Sequence, residues 1–314
     1  MKAFDVLVVG ELNVDIILDG IQGFPKIGKE ILAKELTITL GSSSAIFASN
    51  LSALDTSVTF IGKTGNDTFS EFIKKALEIK KVHTGYILQS DQYKTGLTLV
   101  MNYGMDRANI TFPGAMEHLC GNEITDELLM QAEHLHVSSI FLQTGLLDNI
   151  GELFQRAKKL GLTTSMDPQW DPSETWALDL DSLLPYIDIF LPNAEEFKFL
   201  TKSPDIASGL ERIASVARVV VIKDGVNGAH LWHSGKLLTK PAFLNTKVAD
   251  CIGAGDSFDA GFISEYLKGE KLERCLEVGN IMGAINTMAS GGTAAFENLE
   301  RIKEIARNSF SYSL

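Results

Sequence analysis

Val6-Leu7-Val8-Val9 is a continuous apolar run closed by Gly10, which predicts a strand buried on both faces. From Glu11 to Leu18 polar and apolar residues alternate. That is the pattern of a half-exposed strand with Asn13 and Asp15 on its polar face. Glu30 to Leu40 also reads as extended. Gly41-Ser42-Ser43-Ser44 opens a small-residue helix over Ala45 to Leu54, with serines placed to cap it or to meet a ligand. Val58 to Ile61 is a further buried strand. Asn66-Asp67 caps a helix that ends near Ile79. Thr95 to Asn102 and Ala108 to Phe112 predict a hairpin around Tyr103 to Arg107. The extended segments at about 11–18, 30–40, 95–102 and 108–112 together predict a small, mainly antiparallel sheet set apart as a lid.

Past residue 120 the pattern alternates. Helices are expected from Thr125, over Asp148 to Leu160, Leu180 to Tyr186, Asn193 to Leu200 and Ser208 to Val216. Strands are expected at His136 to Leu142, Thr163 to Met166, Ile187 to Leu191 and Arg218 to Lys223. This order means βαβ units and a parallel sheet covered on both faces. A hairpin (Ala229 to Trp232, Lys236 to Thr239) precedes Asp250, and helices over Leu272 to Ala289 and Leu299 to Arg307 close the chain. No repeat or flexible linker divides it, so residues 1–314 read as a single domain.

The chain carries 28 basic and 40 acidic residues, a net charge of −12. That argues against nucleic acid or an anionic membrane as the main partner. Cys120, Cys251 and Cys275 are an odd number without a C-x-x-C pair, which fits a reduced, cytoplasmic setting. The first ten residues lack the basic start and apolar core of a signal segment, and no apolar run reaches the ~20 residues needed to span a bilayer.

The stretch with the clearest chemistry is Asp250-Cys251-Ile252-Gly253-Ala254-Gly255-Asp256, followed at once by a helical pattern. The glycines allow a tight turn, and the helix start presents free N–H groups and a positive dipole end. A carboxylate there is badly placed to hold a phosphate and well placed to take a proton from a hydroxyl attacking one. Asp250 and Asp259 add carboxylates without a neighbouring Arg or Lys in the stretch. Phe258 stands where a dinucleotide fingerprint needs its third glycine. Gly62-Lys63-Thr64 lacks the upstream glycine of a phosphate loop. Asn193-Ala194-Glu195-Glu196 is a capping box and equally a pair that holds hydrated Mg²⁺. Lys223-Asp224-Gly225 and Gly228 suit a hairpin turn or a loop under a nucleotide. Asn13 and Asp15 suit a polyhydroxylated ligand. Arg107, at a hairpin tip, is of a kind most often simply solvated. The histidines are too scattered for a metal site.

This ordered set resembles the ribokinase-like, PfkB-type carbohydrate kinases. It runs from Gly10-Glu11-Leu12-Asn13-Val14-Asp15 and Gly41-Ser42 through Gly62 to Asp67, Asp106-Arg107 and Gly114-Ala115. It continues to Asn193-x-x-Glu196, Lys223-x-Gly225-x-x-Gly228, the Asp250 to Asp256 signature and Asn280. The resemblance implies a three-layer α/β/α fold with a mainly parallel central sheet and a β-sheet lid. It implies transfer of the γ-phosphoryl of ATP to an alcohol, with Asp256 as base and the N–H groups of Gly253, Ala254 and Gly255 as anion hole. By the same resemblance Asn193 and Glu196 hold Mg²⁺ through water. Asn193, Lys223, Gly225, Gly228 and Asn280 line the nucleotide. Asn13, Asp15, Gly41 and Ser42 meet the sugar, with Arg107 beside them. K⁺ would sit near Asp250 and Ile252.

Three departures fall on the acceptor side. Gly41-Ser42 replaces a Gly-Gly pair, Ile46 stands where Asn is often found, and Asp167-Pro168-Gln169-Trp170-Asp171 replaces Asp-x-Asn-x-Arg. No Lys or Arg occurs in residues 41–50, which argues against a sugar phosphate. The expectation is an ATP- and Mg²⁺-dependent kinase for a free monosaccharide or related polyol. A nucleoside kinase of the same fold and a non-catalytic sugar sensor are the alternatives, and the intact Asp256 and anion hole speak against the sensor. The open edges of the lid admit a homodimer.

Overall fold

The computed structural model describes residues 2–103 and 106–314. Gly104 and Met105, in the middle of the expected hairpin tip, lie outside the described residues. Two sheets carry the architecture. The larger has eight strands in the order Lys236–Lys240, Ala229–His233, Val219–Lys223, Ile189–Phe190, Thr163–Asp167, Ala132–Ser138, Phe4–Val9, Val58–Ile61. Every pairing is parallel except the two made by Ala229–His233, with Val219–Lys223 and with Lys236–Lys240.

Strand parity explains the layers. Leu7, Val9, Leu135, Val137, Val220 and Ile222 face one core, packed by the helices Ile150–Lys159, Ala194–Thr201 and Ile206–Ile213. Their neighbours Val6, Val8, Val219 and Val221 face the other, under the helices Ser43–Ala53, Thr68–Ile79, Ala254–Leu267 and Leu272–Asn286. Both sides of the strands at residues 6–9 and 219–222 are thus apolar and buried, which is why these strands read as unbroken hydrophobic runs. The result is the expected three-layer α/β/α arrangement.

Three expectations need correction. The strand expected at 136–142 runs over Ala132–Ser138 instead. Its polar residues disguise it, because buried His134 and His136 bond Thr163 and Ser165 on the adjacent strand. After it Ser139 turns left-handed, at φ 57, into a 3₁₀ turn. The helix from Thr125 is a single turn, Asp126–Leu129, and the second extended segment is a strand only from Glu35.

The smaller sheet has the order Glu35–Leu40, Asn13–Asp19, Gly96–Tyr103, Asp106–Phe112. Its outer pairs are antiparallel but its central pair is parallel, since two arms distant in sequence meet there. One face presents Asn13, Asp15, Thr98, Arg107, Asn109 and Thr111 to the main body. The opposite face carries Leu36, Ile38, Ile110 and Phe112, all exposed. Among the described residues no helix is long and apolar enough to cross a membrane.

Candidate active site

Phe4–Val9 lies between strands reached by opposite crossovers, so a crevice opens at the carboxyl ends of the parallel strands. There a cleft of about 490 Å³ forms between the two sheets. Its wall brings together Asn13, Asp15, Ser42, Arg107, Asn193, Glu196, Lys223, Gly225, Ile252, Gly253, Ala254, Gly255 and Asp256. Gly41, Gly228, Asp250 and Asn280 are not on that wall. A Cβ at Gly41 would stand 2.2 Å from Asp15 Oδ1 and 2.5 Å from Asn13 Nδ2, so Gly41 makes room for those side chains. Gly228 has φ 96 and no room for a Cβ beside the Lys240 carbonyl. Asn280 donates to the carbonyls of Lys240 and Pro241 at 3.3 Å. These last two residues tie the outer hairpin down.

Gly253, at φ 76, starts the helix Ala254–Leu267. The N–H groups of Gly253, Gly255 and Asp256 have no acceptor among the described residues, and that of Ala254 makes only a long bond to the Cys251 carbonyl, 3.3 Å. They form a ready anion site at the positive end of the helix. A buried polar network holds the turn from behind. Asn50 donates to Ser257 Oγ at 2.9 Å and to the Gly292 carbonyl at 2.8 Å, while Asn286 donates to the Ile252 carbonyl at 2.6 Å.

Asp256 is buried, and its Oδ1 accepts from Gln169 Nε2 at 2.9 Å. The same nitrogen donates to Asp167 Oδ2 at 2.6 Å. Burial, then the charges of Asp167 and Glu11, push the Asp256 carboxyl well above the usual range, with Lys223 and the Gln169 bond opposing them. Lys223 Nζ lies 2.8 Å from Asp167 and 2.9 Å from Asp259. The cation absent from the Asp250–Asp259 stretch is therefore supplied by a different strand. Lys223 borders the cleft, but its ammonium is committed to that pair.

Asn193 and Glu196 do form a capping box, with bonds of 2.8 and 2.9 Å. Burial and the neighbouring Asp167 lift Glu196 to about 7. Glu196, Asp167, Asp256 and Asp259 thus crowd one cation, a donor set short of positive charge. That suits Mg²⁺, which keeps most of its waters and needs few protein carboxylates. Among the described residues no group of three His, Cys, Asp or Glu forms a fully protein-built metal cage. Near the expected K⁺ position each acceptor oxygen takes one hydrogen bond. Asp250 accepts the N–H groups of Ile252 and Gly291 at 2.9 and 3.1 Å, and the Ile252 carbonyl accepts Asn286.

At the other end, Asn13 Nδ2 donates to Asp15 Oδ1 at 2.8 Å and to Thr98 Oγ1 at 3.1 Å. Burial raises Asp15 to about 6, against the pull of Asn13 and Arg107. Ser42 holds φ 71 and ψ 115, a strained backbone for any residue but glycine. Its hydroxyl donates to the Glu11 carbonyl at 2.6 Å and accepts the Ala45 N–H at 2.9 Å, capping the helix. The sequence marks Glu11 as a polar strand position within the Gly10–Asp15 motif and gives it no site role. It is buried, raised by burial to about 7, and bonded by the Ser44 hydroxyl. Only the return of the serine helix over the strand end shows this. Lys63 of the Gly-Lys-Thr decoy is bound to Glu123 and the His118 carbonyl.

The family description "pfkB family carbohydrate kinase" matches residues 3–299. The chain belongs to that family. It is an ATP-dependent carbohydrate kinase, with an acceptor drawn from sugars or nucleosides. An ATP-dependent 6-phosphofructokinase of Thermoanaerobacterium thermosaccharolyticum is 26% identical, covering 97% of this chain and 94% of the relative. A 2-dehydro-3-deoxygluconokinase of Bacillus subtilis is 27% identical over 84% of this chain and 85% of its own. The Arabidopsis thaliana ribokinase complexed with ribose and ATP shares the fold at TM-score 0.83 and 24% identity, over 98% of this chain and 100% of its own.

In this kinase Gln169 occupies one of the divergent positions, and its backbone is left-handed at φ 61. Its amide is the hydrogen-bond donor on Asp256. Gln169→Leu should raise the Asp256 pKa further. The acid limb of the kcat/KM profile then moves to higher pH, by about one unit. A profile unchanged from wild type would show that the bond does not tune Asp256.

Proposed function

We propose that the chain phosphorylates a hydroxyl of a free monosaccharide or related polyol, using ATP. The observation that carries this is Asp256, buried beside unpaired N–H groups at a helix start, at the meeting of a carboxylate-rich end and a hydroxyl-binding end of one cleft. The acceptor's hydroxyls face Asn13, Asp15 and Thr98. Asp256 accepts the proton of the attacking hydroxyl, and the N–H groups of the glycine turn hold the charge of the transferring phosphoryl. Glu196 and Asn193 are the residues that would hold Mg²⁺ through water, and the ion would offset phosphate charge there. Asp250, Asn280 and Gly228 take supporting roles, and no step runs through K⁺. The smaller sheet acts as a lid that keeps water from the phosphoryl.

The test is ADP release with ATP and a panel of ribose, fructose, 2-keto-3-deoxygluconate and adenosine. Turnover with a sugar supports the reading, adenosine as best acceptor replaces it with the nucleoside alternative, and sugar binding without turnover favours the sensor.

The exposed apolar face of the lid carries a second part of the proposal. Cross-strand rows place Leu36, Leu18, Met101 and Ala108, then Ile38, Ile16, Leu99 and Ile110, side by side on one surface. A face of this kind is covered by a partner, and a second copy of the chain supplies one through the same surface. Ile38→Lys should halve the mass seen by light scattering. A wild-type monomer would refute the homodimer.

A further inference from the structure

The cleft does not close at Arg107. Beyond Val100, Arg107, Cys251 and Ile252, which border both spaces, it opens into a larger chamber of about 1160 Å³. The chamber runs between the inner face of the lid and the segment before the glycine turn. Strand parity sets its wall. Leu36 and Ile38 face outward, so Thr37 and Thr39 turn inward, and their hydroxyls have no partner among the described residues. Ser290 lies on the opposite side.

The chemistry of this wall is selective. Among the described residues no aromatic ring lines it, so a nucleobase would find nothing there to stack on. Lys34 and Arg107 are outweighed by Asp19, Glu35 and Asp250, so a phosphate dianion would meet a wall of its own sign. Asp19 is already bonded by Asn102 at 2.6 Å, and Asp250 accepts two N–H groups. The hydroxyls of Thr37, Thr39 and Ser290 and the charged ends of Lys34, Glu35 and Arg107 have no hydrogen-bond or ion-pair partner among the described residues. Spaced along one wall of slight negative balance, they pair with the hydroxyl or amide groups of a neutral unit.

We propose that the acceptor is extended: the phosphorylated sugar sits between Asp15 and Asp256 and carries a second hydrogen-bonding unit, without net charge or aromatic ring, into this chamber. The inference rests on the kinase reading and departs from a lone monosaccharide: the sugar that is phosphorylated bears a second unit.

The test compares kcat/KM for monosaccharides, neutral disaccharides built on them, hexose phosphates and nucleosides, in the wild type and in Thr37→Trp, which places an indole on the chamber wall and narrows it. The expected result is that a disaccharide is preferred. Its advantage over the matching monosaccharide should fall about tenfold in Thr37→Trp. A monosaccharide, hexose phosphate or nucleoside as best acceptor overturns the proposal, and so does a ratio unmoved by the substitution. Absence of ADP release with every compound sinks the kinase reading instead. Calorimetric binding then decides the chamber: disaccharide binding lost in Thr37→Trp supports it, and none in the wild type overturns it.

Discussion

Asp256→Asn should lower kcat by about 10²–10⁴-fold and leave ATP binding intact. The amide keeps the shape of the side chain but accepts no proton, so the attacking hydroxyl must lose its proton unaided. The anion hole is backbone and survives the change. Stability should not fall either. The native carboxyl is buried, and its pKa is pushed upward by burial and by Asp167, so its charged form is a cost to the fold. ADP release and nucleotide calorimetry separate the two effects. Full turnover in the variant would remove Asp256 from the role of base.

Lys223→Met should lose about 3–5 kcal/mol of stability, the usual consequence of stranding buried charges. Asp167 and Asp259 are both about 1% exposed and share this one ammonium. Burial already holds the Asp259 carboxyl well above the usual range against the pull of Lys223, and without that ammonium it is driven further toward the protonated form. A raised carboxyl adds stability at pH values below its unfolded pKa and loses it as pH climbs through the folded one. The deficit should therefore be larger at pH 8 than at pH 5.5 in urea denaturation. A lysine that merely touched a nucleotide would give almost no deficit at either pH. The same variant should depress turnover, because Lys223 is the largest influence holding the Asp256 pKa down.

The parallel sheet and its flanking helices were legible because buried strands leave unbroken apolar runs and amphipathic helices leave periodic ones. Asp67 and Asn193 were readable as caps, since capping is a local bond between neighbours in sequence. The errors follow the same logic. Ala132–Ser138 was misplaced because its histidines are satisfied by the next strand, which no local pattern reveals. The parallel centre of the lid was missed because its two strands are some eighty residues apart, and their pairing depends on where the intervening helices carry the chain.

By itself the sequence determined the glycine turn, the carboxylate beside it and the ordered motifs that mark the family, because each is a contiguous stretch whose backbone demands are local. Tertiary structure alone decided the charge state of the site. Lys223, Asp167, Gln169 and Asp256 come from three separate segments, and Glu11 meets Ser44 only after the helix folds back. Burial and the balance of charge depend on what surrounds a side chain in space, and the order of residues along the chain does not record that.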